Sequence, residues 1–516
     1  AGVMAAGPAA WLLLLAAAAA GPTEPAGLQR AEIKVPGRVV AVRAADVDGD
    51  GAGEVLVFWR QGLPPDSRSR LSLYALEQQR LDERPRQILT LPERAVAFDV
   101  GDADGDGRAD VLLLMDDGVW ALAGRGQGWL AERPQRLLQA MTLAAQPQED
   151  RLPPMDLLVD LGDRAGCGLM VPTVPIGRLS LYACGPPARL QRMLRVPFRT
   201  RIYTAAENQR PGRDFSSMFQ LVLPRFQVID QNGDGRRDLI FFSNDAVAVF
   251  RSGDDGGFAA EPQLHRRFAV LSREERIRRG VHLRGAAADF DGDGRADLMF
   301  NKSSGGIANM RSEVWVHLAR DGGGYRSEPD LRIRSTGYGA LARPVDVDGD
   351  GRADLVRPHV EMGIMAMSQV LLTGKIDVAF HVHLARAAGL RARPDYSLSS
   401  SFAVDFSANQ ELGGTYPIFG RDFDGDGRPD AVIGRAGAGS AGKPDRLEIR
   451  SGRDQGGFDD DASWAVDLHA TSAVQPWRPQ PVGPWGLLVA FPAVEEHRGD
   501  VWVYSHRGSR DTIRKP

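Results

Sequence analysis

The sequence predicts an all-β fold assembled from repeated four-stranded units, and three observations carry the prediction. An acidic nonapeptide recurs six times, beginning at residues 46, 102, 230, 289, 346 and 422. Short alternating β-type runs flank every copy, with turn residues between them. Glycine (59) and proline (33) are plentiful in 516 residues, which favours many turns over long helices.

The layout of one unit is constant. A β-type run leads into the nonapeptide, as in VVAVRAAD at the first copy. A second run follows it: EVLVFW, DVLLLM, DLIFFS, DLMFNK, DLVRPH or DAVIGR. A third comes after a hairpin, as in RLSLYALE, DAVAVFRSG and SEVWVHLAR, often followed by two glycines and an aromatic such as Gly256-Gly257-Phe258. A fourth run, such as SWAVDLH, ends several units. The interval between the second and third copies is about twice the others, which locates a decayed copy near Asp160 (VDLGDRAGCGLMVPT). A second remnant, GPWGLLVAFP, begins near Gly483. About sixty residues and four strands per unit is the scale of a propeller blade. One unit cannot bury both of its faces alone, so the units must stack in a ring.

The fold read from this pattern is all-β: a single β-propeller of eight four-stranded blades over residues 31–510. Seven is the count if one decayed unit is an insertion. The last unit stops after its third strand, and an extra strand at Ala31–Val35 precedes the first nonapeptide. That N-terminal strand is expected to complete the last blade and close the ring, removing an exposed edge. Residues 22–30 read as a short linker and 511–516 as a tail.

Trp11 to Ala20 (WLLLLAAAAA) followed by Gly21-Pro22 fits the apolar core and cleavage site of a secretory signal over residues 1–21. It is shorter than the ~20 residues a membrane-spanning helix needs. The mature chain is expected to be exported, to the periplasm, the outer surface or the medium, with no transmembrane segment and as a monomer. Lysine occurs only at Lys34, Lys302, Lys375, Lys443 and Lys515, and the arginines are scattered rather than clustered. That argues against nucleic acid as a partner.

The nonapeptide reads as a calcium loop. Counting its positions from one to nine, positions 1, 3, 5 and 9 carry Asp46, Asp48, Asp50 and Glu54 in the first copy, and Asp102, Asp104, Asp106 and Asp110 in the second. The third has Asp230, Asn232, Asp234 and Asp238; the fourth Asp289, Asp291, Asp293 and Asp297. The fifth has Asp346, Asp348, Asp350 and Asp354; the sixth Asp422, Asp424, Asp426 and Asp430. The main-chain carbonyl of position 7 (Ala52, Arg108, Arg236, Arg295, Arg352 or Arg428) is a fifth expected ligand in each. Calcium takes six to eight hard oxygens, so this donor set suits it. Glycines at positions 4 and 6 permit turns that a side chain would obstruct. An EF-hand would need Glu at position 12 and flanking helices; residues such as Val57, Leu113 and Phe300 stand there instead. Four uncompensated carboxylates at close range repel, so a cation is called for. Up to six Ca2+ are expected, and six would turn the formal net charge of −4 positive, which favours acidic partners.

With its following strand, the motif DxDGDGxxD resembles the FG-GAP or VCBS repeat shared by integrin α-chain propellers and many exported bacterial proteins. The resemblance covers nearly all of the expected mature chain. It implies a calcium-stabilised β-propeller with its loops on one face. Glu54 and Asn232 are single departures from Asp; the units near Asp160 and Gly483 have lost the pattern and should lack metal.

The remaining motifs have structural readings. Cys167 and Cys184 lie symmetrically about the turn Pro175-Ile176-Gly177, so a hairpin centred there pairs them; an oxidising compartment makes a disulfide, and two free thiols are the alternative. His317 and His383 stand in the repeated string HLAR, which explains them better than a metal site with His359 and His381. Arg498-Gly499-Asp500 spells an adhesion tripeptide where each unit has a hairpin turn. The Arg-rich stretch 189–217 reads as an insert and a candidate contact surface, and Val360–Gly374 as a short amphipathic helix that caps a blade or an end of the channel, a partner or ligand site being the alternative. No nucleophile elbow, zinc-protease, nucleotide or dinucleotide motif occurs. The function expected is a non-catalytic scaffold binding an extracellular or cell-envelope protein or glycan. The competing class is a polysaccharide lyase: some rhamnogalacturonan lyases stand on eight-bladed calcium propellers, which this chain resembles in architecture only.

Overall fold

The computed structural model describes residues 27–506 except 64–65, 78–79, 144–151, 163–165, 176, 197–198, 205–216, 223, 277–280, 306–309, 337–341, 361–363, 388, 406–410, 438–443, 455, 470–471 and 481. The expected export segment and the C-terminal tail lie outside the described residues.

Six four-stranded antiparallel sheets and one nine-stranded sheet, which divides into a sixth and a seventh four-stranded unit, follow one another along the chain, giving eight units counted below as sheets. The first is Arg38–Ala45, Glu54–Gln61, Arg68–Tyr74 and Gln87–Thr90. The first strands of the first to third sheets lie side by side, as do those of the fourth to sixth, and Gln475 of the eighth bonds Val42 of the first; these strands form the inner wall. The fourth strands are outermost, with patterns such as half-buried and exposed residues in alternation along Leu264–Arg267. Second strands are buried along most of their length, as in Asp110–Met115 throughout and Asp430–Arg435 up to its last residue. Both faces of each sheet are covered, which is why these strands read as continuous apolar runs and not as alternation. The sixth and seventh sheets are also linked by one parallel bridge, Ser401 to Arg435.

Eight separate apolar cores hold the ring, each shared between consecutive sheets. Phe58 of the first sheet stacks on Phe98 of the second with ring centroids 3.9 Å apart. Leu112 and Leu169 meet between the second and third, and Met170 and Phe241 between the third and fourth. Phe242 and Phe300 join the fourth to the fifth; Met299 and Leu355 the fifth to the sixth. Phe380 and Ile433 span the sixth and seventh, Leu447 and Leu487 the seventh and eighth. The eighth core sets Ile33, Val501 and Val503 against Val55, Val57 and Trp59, returning to the first sheet. The order of the cores, running from sheet to sheet and back to the first, is propeller-like. Burying one such side chain contributes about 1.5–3 kcal/mol, and the contributions are spread around the circle rather than pooled in one centre.

The closing strand is Leu28–Lys34, paired antiparallel with Asp500–His506 from Leu28↔His506 to Lys34↔Asp500. It begins three residues inside the stretch read as linker, because Leu28 is buried in the seventh–eighth core. Arg189–Arg195 is no insert but the outer strand of the third sheet, paired with Arg178–Ala183. The true addition is the ribbon Arg199–Thr204 with Ser217–Val222. The expected helix is present at Ile364–Thr373, between the second and third strands of the sixth sheet.

Alternating strand direction sorts these additions. Connections between first and second strands and between third and fourth strands leave the ring on one face; all other connections leave on the opposite face. The nonapeptides belong to the first group. The ribbon strands Arg199–Thr204 and Ser217–Val222, the helix Ile364–Thr373 and the strand Glu411–Gly413 belong to the second.

Candidate metal centres

Every nonapeptide folds by the same internal bonds. The position-1 carboxylate accepts the N–H groups of both glycines: Asp289 takes Gly292 at 2.7 Å and Gly294 at 2.8 Å. The same pair of bonds recurs at Asp46, Asp102, Asp230, Asp346 and Asp422. Both glycines sit at positive φ, +78° for Gly292 and +81° for Gly294, where a Cβ would be strained. In this way two backbone turns curl around one carboxylate.

Position 9 is a clamp. Asp297 accepts Phe290 N–H at 2.9 Å from its own loop and Ala319 N–H at 2.7 Å from beyond the third strand. Asp110, Asp238, Asp354 and Asp430 make the equivalent pair of bonds. Burial pushes the carboxyls of Glu54, Asp297, Asp354 and Asp430 up to about 7, and those of Asp110 and Asp238 up to about 6, against the opposing pull of the backbone donors. Burial, and then the position-5 carboxylate, also raises Asp48, Asp104, Asp291 and Asp348. Such negative charge, crowded and partly desolvated, is what a bound cation would relieve.

Carboxylate oxygens converge in five loops, within 4.8 Å of one another: Asp46, Asp48 and Asp50 in the first, and positions 1, 3 and 9 in the others, namely Asp102/Asp104/Asp110, Asp289/Asp291/Asp297, Asp346/Asp348/Asp354 and Asp422/Asp424/Asp430. Position 5 joins only in the first. The reason is position 7. Where it is arginine, its guanidinium binds the position-5 carboxylate, as Arg236 binds Asp234 at 2.6 Å and Arg352 binds Asp350 at 2.7 Å; Arg108 and Asp106, Arg295 and Asp293, and Arg428 and Asp426 pair likewise. Ala52 has no such group, and Asp50 stays with the cluster. The third loop has amide in place of acid. Asn232 Nδ2 donates to Asp234 at 2.9 Å, and its Oδ1 is buried with no hydrogen-bond partner. A buried acceptor left bare costs free energy, and a cation in the loop would satisfy it. The residues present therefore fit a hard divalent ion.

Neighbouring loops are coupled. The position-8 N–H of one loop donates to the position-1 carbonyl of the loop before it: Ala109 to Asp46, Ala296 to Asp230 and Ala353 to Asp289, at 2.6–3.0 Å. Pro429 has no N–H, so this bond is missing between the fifth and sixth loops. The position-7 side chains of Arg108, Arg295 and Arg352 lie over Gly49, Gly233 and Gly292 of the preceding loops. Beside the third loop, Gln231 Nε2 reaches Gly323 O at 2.7 Å and Tyr325 Oη at 2.9 Å, on the glycine ribbon of the next sheet.

The two decayed units differ from each other. In the third sheet the connection is shortened to 161–166, and Cys167, opposite Asp160, takes the place of position 9. It is disulfide-bonded to Cys184. In the eighth sheet the connection 478–485 keeps its length, but Arg478 follows Trp477 at position 1 and Gly486 stands at position 9. Trp485 N–H still donates to Asp422 O.

The histidines and the tripeptide take their structural readings. His317 and His383 are fully buried at equivalent sites, with Nδ1 on the carbonyls of Arg326 and Arg391. Gly499 O accepts Val35 N–H at the ring closure, and Asp500 pairs with His497. Sequence reasoning missed a third polar position, three residues before the loop. There Asp99, Gln227 and Gln475 bond the backbone of the neighbouring inner strand, through Leu157 and Leu158, Ala287 and Val42 respectively. A lone polar residue in an apolar run was its signal.

Residues 46–113, 230–300 and 289–356 match the FG-GAP-like repeat. No curated protein matches the chain. Among solved structures, the chain is similar to the Dos1 propeller at 10% identity, covering 93% of this chain and 95% of that one, with a TM-score of 0.39. An Agrocybe aegerita lectin that recognises non-reducing terminal N-acetylglucosamine matches at 15% identity over 83% and 81%, TM-score 0.36. The V. cholerae biofilm matrix protein Bap1 matches at 12% over 91% and 77%, TM-score 0.29. No helix among the described residues is long and apolar enough to cross a membrane.

Proposed function

Starting from a chain of FG-GAP-like repeats set in an eight-sheet ring, we propose a calcium-binding, non-catalytic scaffold that holds an exported protein or glycan partner. Calcium is held by positions 1, 3 and 9, or by positions 1, 3 and 5 in the first loop, with the position-7 carbonyl and water completing its sphere, and Asn232 Oδ1 serves in the third loop. The metal stabilises the ring; it does not touch the partner. One observation carries the reading: the residues shared by the repeats are engaged in loop bonds, clamps and cores, whereas the additions that distinguish the sheets gather on the face opposite the loops. Specificity therefore belongs to that face, to the ribbon 199–222 and the helix Ile364–Thr373. Leu371 and Leu372 on this helix are 66% and 87% exposed, more than a structural cap requires.

Metal analysis after dialysis, with melting in calcium and in chelator, tests the first half. Bound calcium and a chelator-lowered melt are expected; an unchanged melt without metal removes the claim. For the second half, candidate envelope proteins and glycans are captured on the whole chain and on a variant with 199–222 replaced by a short Gly-Ser link. Binding that survives this replacement and helix substitution moves the site elsewhere. Steady release of unsaturated, ultraviolet-absorbing products from an acidic polysaccharide would replace the scaffold with a lyase.

A further inference from the structure

The inner wall of the ring is unevenly charged. The inner strands of the fourth to eighth sheets are Arg225–Ile229, His282–Ala288, Arg343–Val345, Ile418–Arg421 and Ala473–Trp477. They carry Arg225, His282, Arg284, Arg343 and Arg421 but not one carboxylate, while Asp99 and Asp160 lie on the inner strands of the second and third sheets. Within the cationic arc a cavity of about 720 Å3 opens against the inner strands of the sixth, seventh and eighth sheets. Its wall combines Arg343 and Tyr416 with the apolar Val345, Pro417, Ile418 and Val474. The Arg343 guanidinium lies 4.2 Å from the centre of the Tyr416 ring, and Arg284 stands on the neighbouring inner strand, His282–Ala288, which lies against Arg343–Val345. Arg225 and Arg343 make no ion pair among the described residues.

These features belong together chemically. A guanidinium stacked on an aromatic face is held in orientation and keeps a planar donor edge that matches a carboxylate in two parallel bonds. Apolar walls suit the ring faces of a sugar, and the volume lies within the range of pockets that enclose ligands of several rings' size. A second guanidinium from the adjacent strand adds charge without adding a competing acid.

We propose that this arc of the channel binds a carboxylate-bearing oligosaccharide, with Arg343 on the carboxylate, Arg284 beside it and Tyr416 fixing the geometry. The site is separate from the metal loops and uses neither the ribbon nor the helix, although Tyr416 stands three residues beyond the opposite-face strand Glu411–Gly413.

Titration calorimetry on the full chain, in excess calcium, tests this with galacturonate and glucuronate trisaccharides, neutral trisaccharides of the same linkage, and sodium sulfate. The acidic trisaccharides are expected to bind at least tenfold more tightly than the neutral ones and than sulfate, and to weaken as salt rises. Arg343→Gln should weaken them at least tenfold while leaving the melting temperature unchanged. Arg343→Lys, which keeps the charge but loses the planar fork, should fall between. Binding unchanged in Arg343→Gln overturns the proposal. Equal binding of sulfate or of neutral sugars overturns it as well. Arg284→Gln supplies a second variant in case the first alters folding.

Discussion

Cys167 occupies in the third sheet the position that Asp110 occupies in the second. Asp110 faces Gly101 at the end of the inner strand, and Cys167 faces Asp160 in the same register. Asp110 clamps its loop to the far end of the third strand through Gly124 N–H; Cys167 reaches the far end of its own third strand through the bond to Cys184. One sheet thus holds covalently a junction that its neighbours hold by a carboxylate within an expected metal loop.

Replacing both cysteines by serine should therefore destabilise the protein by roughly 3 kcal/mol, the order expected for a closed loop of this size. The loss should be the same in calcium and in chelator, because no metal loop shares the bond. Denaturant titration under both conditions checks this; a loss seen only in chelator would show the two devices to be coupled.

The clamp and the surface pair should separate by mutation. Asp297→Asn removes a buried acceptor facing backbone N–H groups and should cost about 1–3 kcal/mol even in chelator. Asp293→Ala breaks an exposed pair with Arg295 and should cost under about 1 kcal/mol there. Chemical denaturation of both variants decides, and the reverse order would show that position 5 rather than position 9 holds the loop.

Asn232→Asp should change sign with the metal. In calcium the added carboxylate strengthens the third loop and raises the melting temperature. In chelator it places another negative charge beside Asp230 and Asp234 and lowers it. Paired thermal scans are the measurement, and a shift of one sign in both conditions counts against a cation in this loop.

His317 and His383 are buried and neutral, and burial depresses both below the usual imidazole range. The unfolded chain then binds the extra protons, so their contribution is full above about pH 6.5 and is lost as pH falls below it. Each contributes a slope of at most ~1.4 kcal/mol per pH unit. Stability in saturating calcium, followed from pH 7.5 to 5.5, should decline less steeply in His317→Phe and His383→Phe than in the parent. Parallel curves would assign the acid sensitivity elsewhere.

The repeat was legible because a backbone turned twice around a carboxylate admits few residues, so Asp289, Gly292 and Gly294 recur as a fixed pattern. The decayed third unit was legible from spacing alone. Other features were not. The partner of Asp293 depends on what stands at position 7, and Arg295 read only as a solvated charge. Arg189–Arg195 escaped as a strand because outer strands are wet on both sides: six of its seven residues are exposed or half-buried, which leaves no period-two signal. Arg343 and Tyr416 lie on different sheets far apart in sequence, and only the packing of one sheet beside the next brings them to one cavity.

The pairing of Leu28–Lys34 with Asp500–His506 also fixes an order in time. During synthesis the first of these strands emerges hundreds of residues before its partner, so seven of the cores have a chance to form before the eighth has all its parts. Until then Val55, Val57 and Trp59 of the first sheet wait without Val501 and Val503. Contacts this distant along the chain are slow to form, and apolar surface left waiting is prone to meet other chains. The final strand is thus the step that ends the growing chain's exposure to its neighbours.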